Sequence, residues 1–92
     1  MTSYASIDRI EGKRVICEVE LVPFEESKPE DFITKACEML DVPLQEIPED
    51  IGEVKEGDIL LVKHDGKKII TIYYKDEEEK ERRFKIRKDI KC

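Results

Sequence analysis

Residues that form metal, redox or nucleotide sites are scarce in this chain. It has one histidine, His64, and three cysteines, Cys17, Cys37 and Cys92, none spaced as Cys-x-x-Cys. Zinc needs converging cysteine and histidine ligands, and this sequence does not supply them. The four glycines stand singly, so they form no Gly-rich phosphate loop. The sequence therefore predicts no metal and no cofactor.

Long apolar runs and an apolar leader are missing as well. No apolar run approaches the ~18 residues of a membrane-spanning helix. The first ten residues carry acidic and basic side chains without an apolar stretch, so no signal peptide is expected. An odd number of cysteines argues against a secreted disulfide framework. We therefore expect a cytoplasmic protein with reduced thiols and no membrane segment.

Charge is what the chain has in abundance. Charged residues make up 43% and hydrophobic residues 39%, and the net charge is −6. The apolar residues are clustered into runs, which disordered chains lack, so we expect the chain to fold. An acidic net charge does not favour nucleic acid or anionic membranes. A chain of 92 residues forms one domain, which we place at 1–92.

The first part of the chain predicts a β-hairpin. Tyr4–Ile10 is interpreted as one strand, and Gly12 allows the positive φ of a tight turn. The next strand, Arg14–Val22, alternates apolar and polar residues, as a half-buried strand does. Its apolar face carries Val15, Cys17, Val19 and Leu21, and its polar face carries Arg14, Glu18 and Glu20.

A helix is predicted over residues 29–40. Pro23 ends the preceding strand, and Ser27 with Glu30 forms a candidate capping box. The helical spacing gives an apolar stripe of Phe32, Ile33, Ala36, Cys37 and Leu40. This stripe either packs on the core or forms a groove for a partner.

A second hairpin is predicted around Asp65-Gly66. The flanking runs are Ile59–Lys63 and Lys68–Lys75, and an Asp-Gly pair between such runs is typical of a type I′ turn. That turn pairs His64 with Lys67, Val62 with Ile69, and Leu60 with Thr71.

Under that register both faces of the second hairpin are apolar. One face carries Ile59, Leu61, Ile70, Ile72 and Tyr74, and the other carries Leu60, Val62, Ile69, Thr71 and Tyr73. A sheet with one solvated face does not show this pattern. The 29–40 helix, the C-terminal segment, curvature into a small barrel or a partner chain must cover the second face. The candidate partner-binding residues are Leu60, Val62, Ile69 and Tyr73.

The C-terminal segment, residues 76–91, predicts a charged helix. Asp76 is a candidate N-cap, and three acid-first pairs stand at i,i+4, namely Glu78–Arg82, Glu79–Arg83 and Glu81–Lys85. We expect Ile86 and Ile90 to pack on the domain. Phe84 and Ile86 also alternate as in a strand, so a strand remains an alternative.

The same segment is the basis for an alternative function. From Lys80 to Cys92 there are seven basic and two acidic residues, and a basic strip can follow phosphates. Arg82, Arg83, Arg87 and Lys88 are therefore candidate nucleic-acid-binding residues. Phe84 is the strip's one aromatic residue, so base stacking is poorly supplied. A solvated helix face, paired with the acids upstream, is the other interpretation.

Four short motifs carry a resemblance to a known family. They are Ile7-Asp8-Arg9-Ile10-Glu11-Gly12, Asp41-Val42-Pro43 with Ile47-Pro48, Lys55-Glu56-Gly57-Asp58-Ile59-Leu60, and an acidic then basic tail bearing Arg82. In this order they resemble a family of short bacterial proteins classified as domain of unknown function 3006. The resemblance implies a compact β-domain with a C-terminal helix and an accessory role, because some relatives lie near or are fused to metallo-β-lactamase-type hydrolases. Residues 23–39 and the longer Asp65-Gly66 hairpin depart from the family pattern.

Together these patterns predict an α+β domain. Its two hairpins form a twisted sheet or a partly closed SH3-like or OB-like barrel, with one inserted helix and a C-terminal helix. We expect a non-enzymatic interaction or accessory domain that binds a protein partner or itself. Catalysis at an exposed His64 is disfavoured because the turn accounts for Asp65 and Gly66. Cys17 and Cys37 lie in apolar stripes that disfavour a thiolate, so no catalytic residue is expected.

Overall fold

The computed structural model describes residues 1–26 and 36–90, with side chains of the last helix described through Lys85. These residues form five strands and one α-helix: β1 Thr2–Glu11, β2 Arg14–Glu20, β3 Cys37–Pro43, β4 Ile59–His64, β5 Ile69–Lys75 and α1 Glu77–Ile90. Short 3-10 turns lie at Phe24–Glu26, Leu44–Glu46 and Glu49–Ile51. The predicted α+β class is confirmed.

The strands form one antiparallel sheet in the order β3-β2-β1-β4-β5. Strands β3 and β5 are its two edges, so the sheet is open. The twisted sheet of the prediction is therefore the form adopted, and the sheet does not close into a barrel. Among the described residues, no helix combines the length and the apolar character needed to cross a bilayer.

The first hairpin is confirmed. Glu11 pairs with Arg14 across Gly12, whose φ is 59°. Positive φ is easily adopted by glycine, so the turn can be tight. The inward alternation of β2 is confirmed too, because Val15, Cys17 and Val19 are all fully buried.

The helix predicted over 29–40 is wrong from Cys37 onward. Those residues form β3, which pairs with β2 from Glu20↔Cys37 to Arg14↔Pro43. Cys37 and Leu40 fit a helical stripe, but Leu40 and Val42 also alternate and both are buried in the core. Pairing with β2 along the whole strand outweighs the local helical spacing. Residues 27–35 of the prediction lie outside the described residues.

The second hairpin forms, but its predicted register is wrong. Strand β4 pairs with β5 through His64↔Ile69, Lys63↔Thr71, Val62↔Ile72, Leu61↔Tyr74 and Leu60↔Lys75. Two irregularities interrupt this pairing, one between Leu61 and Val62 and one between Lys63 and His64. Each inserts an extra residue into β5 and shifts the register.

The turn chemistry explains the shift. The Asp65 carboxylate accepts hydrogen bonds from the backbone N–H groups of Lys67 and Lys68, at 2.9 and 2.8 Å. The Asp65 N–H donates to the carbonyl of Lys68 at 3.3 Å. An aspartate that binds its own turn in this way replaces a two-residue loop by a longer one. The turn therefore spans residues 65–68.

The core lies on one side of the sheet, which we call the inner face. It contains Ala5, Ile7, Val15, Cys17, Val19, Leu40, Val42, Val54, Leu60, Val62 and Ile72. The opposite side, which we call the outer face, carries Tyr4 beside Leu61 and Ser6 beside Ile59. Strand β4 is buried on both faces, as predicted, whereas Ile70, Tyr73 and Tyr74 of β5 are exposed.

Helix α1 confirms the predicted C-terminal helix and excludes the strand alternative. The Asp76 side chain accepts a hydrogen bond from the Glu79 N–H at 2.9 Å, which is the predicted N-cap. The Asp76 N–H donates to the Ile59 carbonyl at 2.8 Å, so the helix begins against β4. The side chains of Ile86 and Ile90 lie outside the described residues.

Candidate interaction site

Helix α1 is held on the outer face by a buried ion-pair network. Arg83 donates from Nη2 to Glu20 Oε1 at 3.0 Å and from Nε to Glu79 Oε2 at 2.8 Å. Its guanidinium lies 5.2 Å from the ring centroid of Tyr4, within cation–π distance. Of the predicted i,i+4 pairs, Glu79–Arg83 is therefore confirmed.

The placement of Glu20 corrects the sequence analysis. Glu20 was assigned to the polar face of β2, but it is only 3% exposed. It does lie on the outer face, which helix α1 covers. The prediction treated that face as solvated because no local pattern shows that a helix more than fifty residues later packs there.

A second ionic contact fixes the first turns of α1. Lys80 Nζ donates to Asp58 Oδ1 at 2.7 Å, and Asp58 Oδ2 accepts from the Lys55 N–H at 2.9 Å. Burial raises the pKa of Asp58, but these two hydrogen bonds outweigh it and hold the pKa below its ordinary value. Asp58 therefore stays ionised at neutral pH.

Arg83 and Tyr4 hold their protons tightly. Burial lowers the pKa of Arg83, but the hydrogen bonds and charges of Glu79 and Glu20 raise it by more. The pKa of Arg83 therefore lies above its ordinary value. Burial and the charge of Glu79 raise the pKa of Tyr4 to about 12. Neither side chain exchanges a proton near neutral pH, so the network is suited to holding a helix and not to acid–base chemistry.

His64 is buried, which corrects its predicted exposure. It is 2% exposed, and its Nδ1 accepts a hydrogen bond from the Gly66 N–H at 3.1 Å. That bond leaves the ring proton on Nε2, which donates to Ser3 Oγ at 2.9 Å. The Ser3 hydroxyl donates to the Val22 carbonyl at 2.7 Å. The three bonds form a satisfied chain.

The distance between Ser3 Oγ and His64 Nε2 is that of a catalytic nucleophile and its base, but the position of the ring proton is not. A histidine base needs its Nε2 lone pair directed at the serine hydroxyl, and here Nε2 carries the proton. Burial and the nearby N-terminal ammonium lower the pKa of His64, which keeps the ring neutral. Both side chains are also fully enclosed, so this pair acts as a structural tie between β1 and β4.

Cys17 is an unreactive thiol, and the carboxylates of the described residues form no metal cluster. Cys17 is fully buried, and burial raises the pKa of its thiol to about 12, which disfavours the reactive thiolate. Within residues 1–26 and 36–85, no three metal-type side chains converge. Every buried side-chain N or O atom there has a hydrogen-bond partner.

The candidate partner-binding residues do not share one surface. Leu60 and Val62 lie in the core of this same chain, and Ile69 is partly buried against that core. Tyr73 is exposed on β5. The chain's own packing therefore covers most of this predicted face.

The candidate nucleic-acid-binding residues are likewise separated. Arg82 is exposed, and its Nη2 atom lies 3.4 Å from Glu79 Oε1. Arg83, in contrast, is buried in the ion-pair network. The side chains of Arg87 and Lys88 lie outside the described residues. The basic strip therefore loses Arg83 as a surface charge.

An open apolar groove lies beside the first hairpin, and sequence reasoning missed it. It encloses about 450 Å³ and is lined by Ile10, Leu44, Ile47, Pro48, Glu49, Gly52, Glu53 and Val54. Leu44 is 40% exposed and Ile10 is 36% exposed. We call this surface the Leu44 groove. In the sequence, Pro43 and Pro48 stand out in this region, but they do not predict a groove.

Backbone contacts hold the groove in place. The Leu44 N–H donates to the Lys13 carbonyl at 2.7 Å, which ties the turn after β3 to the first hairpin. Ile47 packs against the core, and Val54 is buried in it. The groove is therefore preformed on ordered backbone, which lowers the entropy cost of binding.

A second cleft lies between α1 and the outer face. It encloses about 440 Å³, and its walls include Glu20, Lys80 and Arg83. Glu20 and Arg83 pair with each other, and Lys80 pairs with Asp58. These pairs hold the helix, whereas Glu18, Glu81 and Phe84, which also line the cleft, are exposed.

Comparison of the chain with protein-family models, with curated proteins and with solved structures finds no match. The resemblance to domain of unknown function 3006 stays a prediction.

Proposed function

We propose that this protein is a non-enzymatic interaction domain that binds a protein partner through the Leu44 groove. The observation that carries the proposal is the groove itself, an ordered depression whose apolar side chains, Leu44 and Ile10, are open to solvent. Covering such side chains stabilises a complex by about 25 cal/mol per Å² of apolar surface removed from water.

The buried polar groups support a binding role over a catalytic one. Catalytic groups need access to substrate and a pKa near the working pH. The Ser3–His64 pair is enclosed, Cys17 is enclosed, and the Arg83 network is consumed by its own partners. The accessible groups of the described residues include apolar side chains and charges, which are common in protein recognition.

Site-specific photo-crosslinking tests the proposal. A benzophenone amino acid replaces Leu44 in one variant and Thr71, an exposed residue of β5, in a control variant. We expect a defined adduct from position 44 and none from position 71. The adduct should disappear when Ile10→Asp is added, because a carboxylate in the groove opposes apolar burial.

The mass of the adduct identifies what occupies the groove. An adduct with another protein, or with a second copy of the chain, supports an interaction domain when Ile10→Asp abolishes it. Equal labelling from positions 44 and 71, or none from either, contradicts the proposal. Circular dichroism of the Ile10→Asp variant must match the parent, so that unfolding is not mistaken for lost binding.

A further inference from the structure

We infer that the partner presents a basic-apolar segment, in which aliphatic side chains enter the Leu44 groove and lysine or arginine side chains lie along its rim. This inference rests on the proposed function and specifies the partner's chemistry. It is carried by the combination of an apolar floor and a rim that is mainly acidic.

The rim is strongly acidic. Glu49 and Glu53 line the groove directly. From Leu44 to Lys55 the chain has one basic residue, Lys55, and four acidic residues that are all exposed: Glu46, Glu49, Asp50 and Glu53. Carboxylates crowded on one side of a groove attract a cationic partner and repel an anionic one.

Two cations near this rim are engaged by other groups. Arg9, one residue before Ile10, donates to Asp8 at 2.6 Å and also pairs with Glu11. Lys75 donates to the Glu53 backbone carbonyl and lies 3.5 Å from Glu77. Lys75, Lys13 and Lys55 are three cations near the rim against the four carboxylates, so they offset only part of its negative charge.

The apolar floor separates this surface from a simple acidic patch. An acidic patch alone binds any cation weakly, whereas Leu44 and Ile10 reward a partner that brings apolar surface. A membrane with anionic headgroups, a nucleic acid and an acidic peptide are each disfavoured by the rim. A segment that combines leucine-like and lysine-like side chains satisfies both parts of the site.

Three fluorescein-labelled peptides of equal length test the inference by fluorescence anisotropy. The first has leucine at helical spacing with lysine between, the second has glutamate for every lysine, and the third has serine for every leucine. We expect the lysine–leucine peptide to bind about tenfold or more tightly than the glutamate–leucine peptide, as two or three surface ion pairs allow. Loss of leucine burial should weaken binding by about tenfold as well.

Matched variants locate the binding. Leu44→Asp makes the protein more acidic, so nonspecific attraction of a basic peptide would rise, but the inference expects binding to fall at least about tenfold because apolar contact is lost. Ile70→Asp adds the same charge on exposed β5 and should leave binding unchanged. Glu49→Gln with Glu53→Gln should weaken the lysine–leucine peptide several-fold and flatten its salt dependence.

The outcomes separate the inference from the proposed function. Equal binding of the lysine and glutamate peptides, both lost in Leu44→Asp, keeps the groove as an interaction site and overturns the charge preference. A homodimer that Leu44→Asp dissociates, seen by sedimentation of the protein alone, assigns the groove to a second copy and also overturns the inference. Binding of the lysine peptide that ignores Leu44→Asp overturns it too, while the photo-crosslink from position 44 independently decides the proposed function.

Discussion

The two faces of the sheet are built on opposite principles. The inner face is packed with aliphatic side chains, and its polar group, the Ser3–His64 pair, is neutral and fully hydrogen-bonded. The outer face is joined to helix α1 by charges, with Arg83 between Glu20 and Glu79, and Lys80 on Asp58. Helix α1 even turns its one described aromatic residue, Phe84, to solvent.

The difference teaches where each kind of stability comes from. Apolar burial is non-directional and depends little on salt. A buried ion pair adds little net stability, because desolvation offsets its attraction, but it requires one geometry and one partner. The inner face therefore supplies most of the folding free energy, and the outer face fixes the position of α1.

Removing one member of the buried network should have the largest effect. Arg83→Ala leaves Glu20 and Glu79 buried without their shared cation, and breaking such a pair typically costs about 3–5 kcal/mol. We expect the free energy of unfolding, measured by urea denaturation, to fall by that amount.

The neighbouring arginine is the matched control. Arg82 is more than half exposed and lies near the same glutamate, so Arg82→Ala should cost less than about 1 kcal/mol. Equal costs for the two variants would show that the network is solvated in solution. The contrast between an outer face held by buried charges and an inner face held by apolar burial would then be wrong.

Truncation in the inner face should cost about 3 kcal/mol. Leu60 is fully buried between β1 and β5, and removing a buried leucine side chain typically costs about 2–5 kcal/mol through lost burial and the cavity left behind. Ile70→Ala on exposed β5 is the control and should cost less than about 1 kcal/mol. Unlike Arg83→Ala, the loss from Leu60→Ala should be the same at low and high salt. A salt-dependent loss from Leu60→Ala contradicts the assignment of the inner face to apolar burial.

Lowering the pH should test the Ser3–His64 hydrogen bond, the polar contact of the inner face. Folding holds the pKa of His64 below the value of ~6.5 that an unfolded chain has. The contribution of His64 to the free energy of unfolding is therefore fully present above about pH 6.5. It falls as the pH drops below that value, because the unfolded chain takes up a proton that the folded chain resists. The slope cannot exceed about 1.4 kcal/mol per pH unit for one group.

His64→Gln supplies the comparison for that titration. A neutral glutamine can still donate to Ser3, so the variant should lose the pH dependence between about pH 6.5 and 5 while remaining folded. Urea denaturation at a series of pH values gives both curves. Parallel curves for the parent and the variant would place the acid sensitivity at other groups.

Sequence reasoning succeeded where the signals were local. The alternation of β2 with Gly12 predicted the first hairpin, and Asp76 with its acid-first pairs predicted α1. It failed where a distant segment decides. Strand β3 exists because β2 lies beside it, and the same residues in isolation have helical spacing.

Two further errors have the same origin. Glu20 and Arg83 are 63 positions apart, and Ser3 and His64 are 61 apart, so no short window shows either contact. The β4–β5 register failed for a different reason, since Asp65 binds Lys67 and Lys68 and lengthens the turn. The Leu44 groove needs the first hairpin and the Pro48 turn to meet, which again depends on long-range packing.

The smallest effect belongs to the second contact of α1. Lys80 is about one-third exposed, and Asp58 keeps the Lys55 N–H when Lys80 is changed. Lys80→Met preserves the aliphatic stem and should cost about 1 kcal/mol, well below the cost of Arg83→Ala. Because this pair reaches solvent, salt should reduce its contribution more than that of the Arg83 network. A cost for Lys80→Met equal to that of Arg83→Ala would mean that both contacts are equally desolvated, and that α1 is held along its whole first half and not chiefly at Arg83.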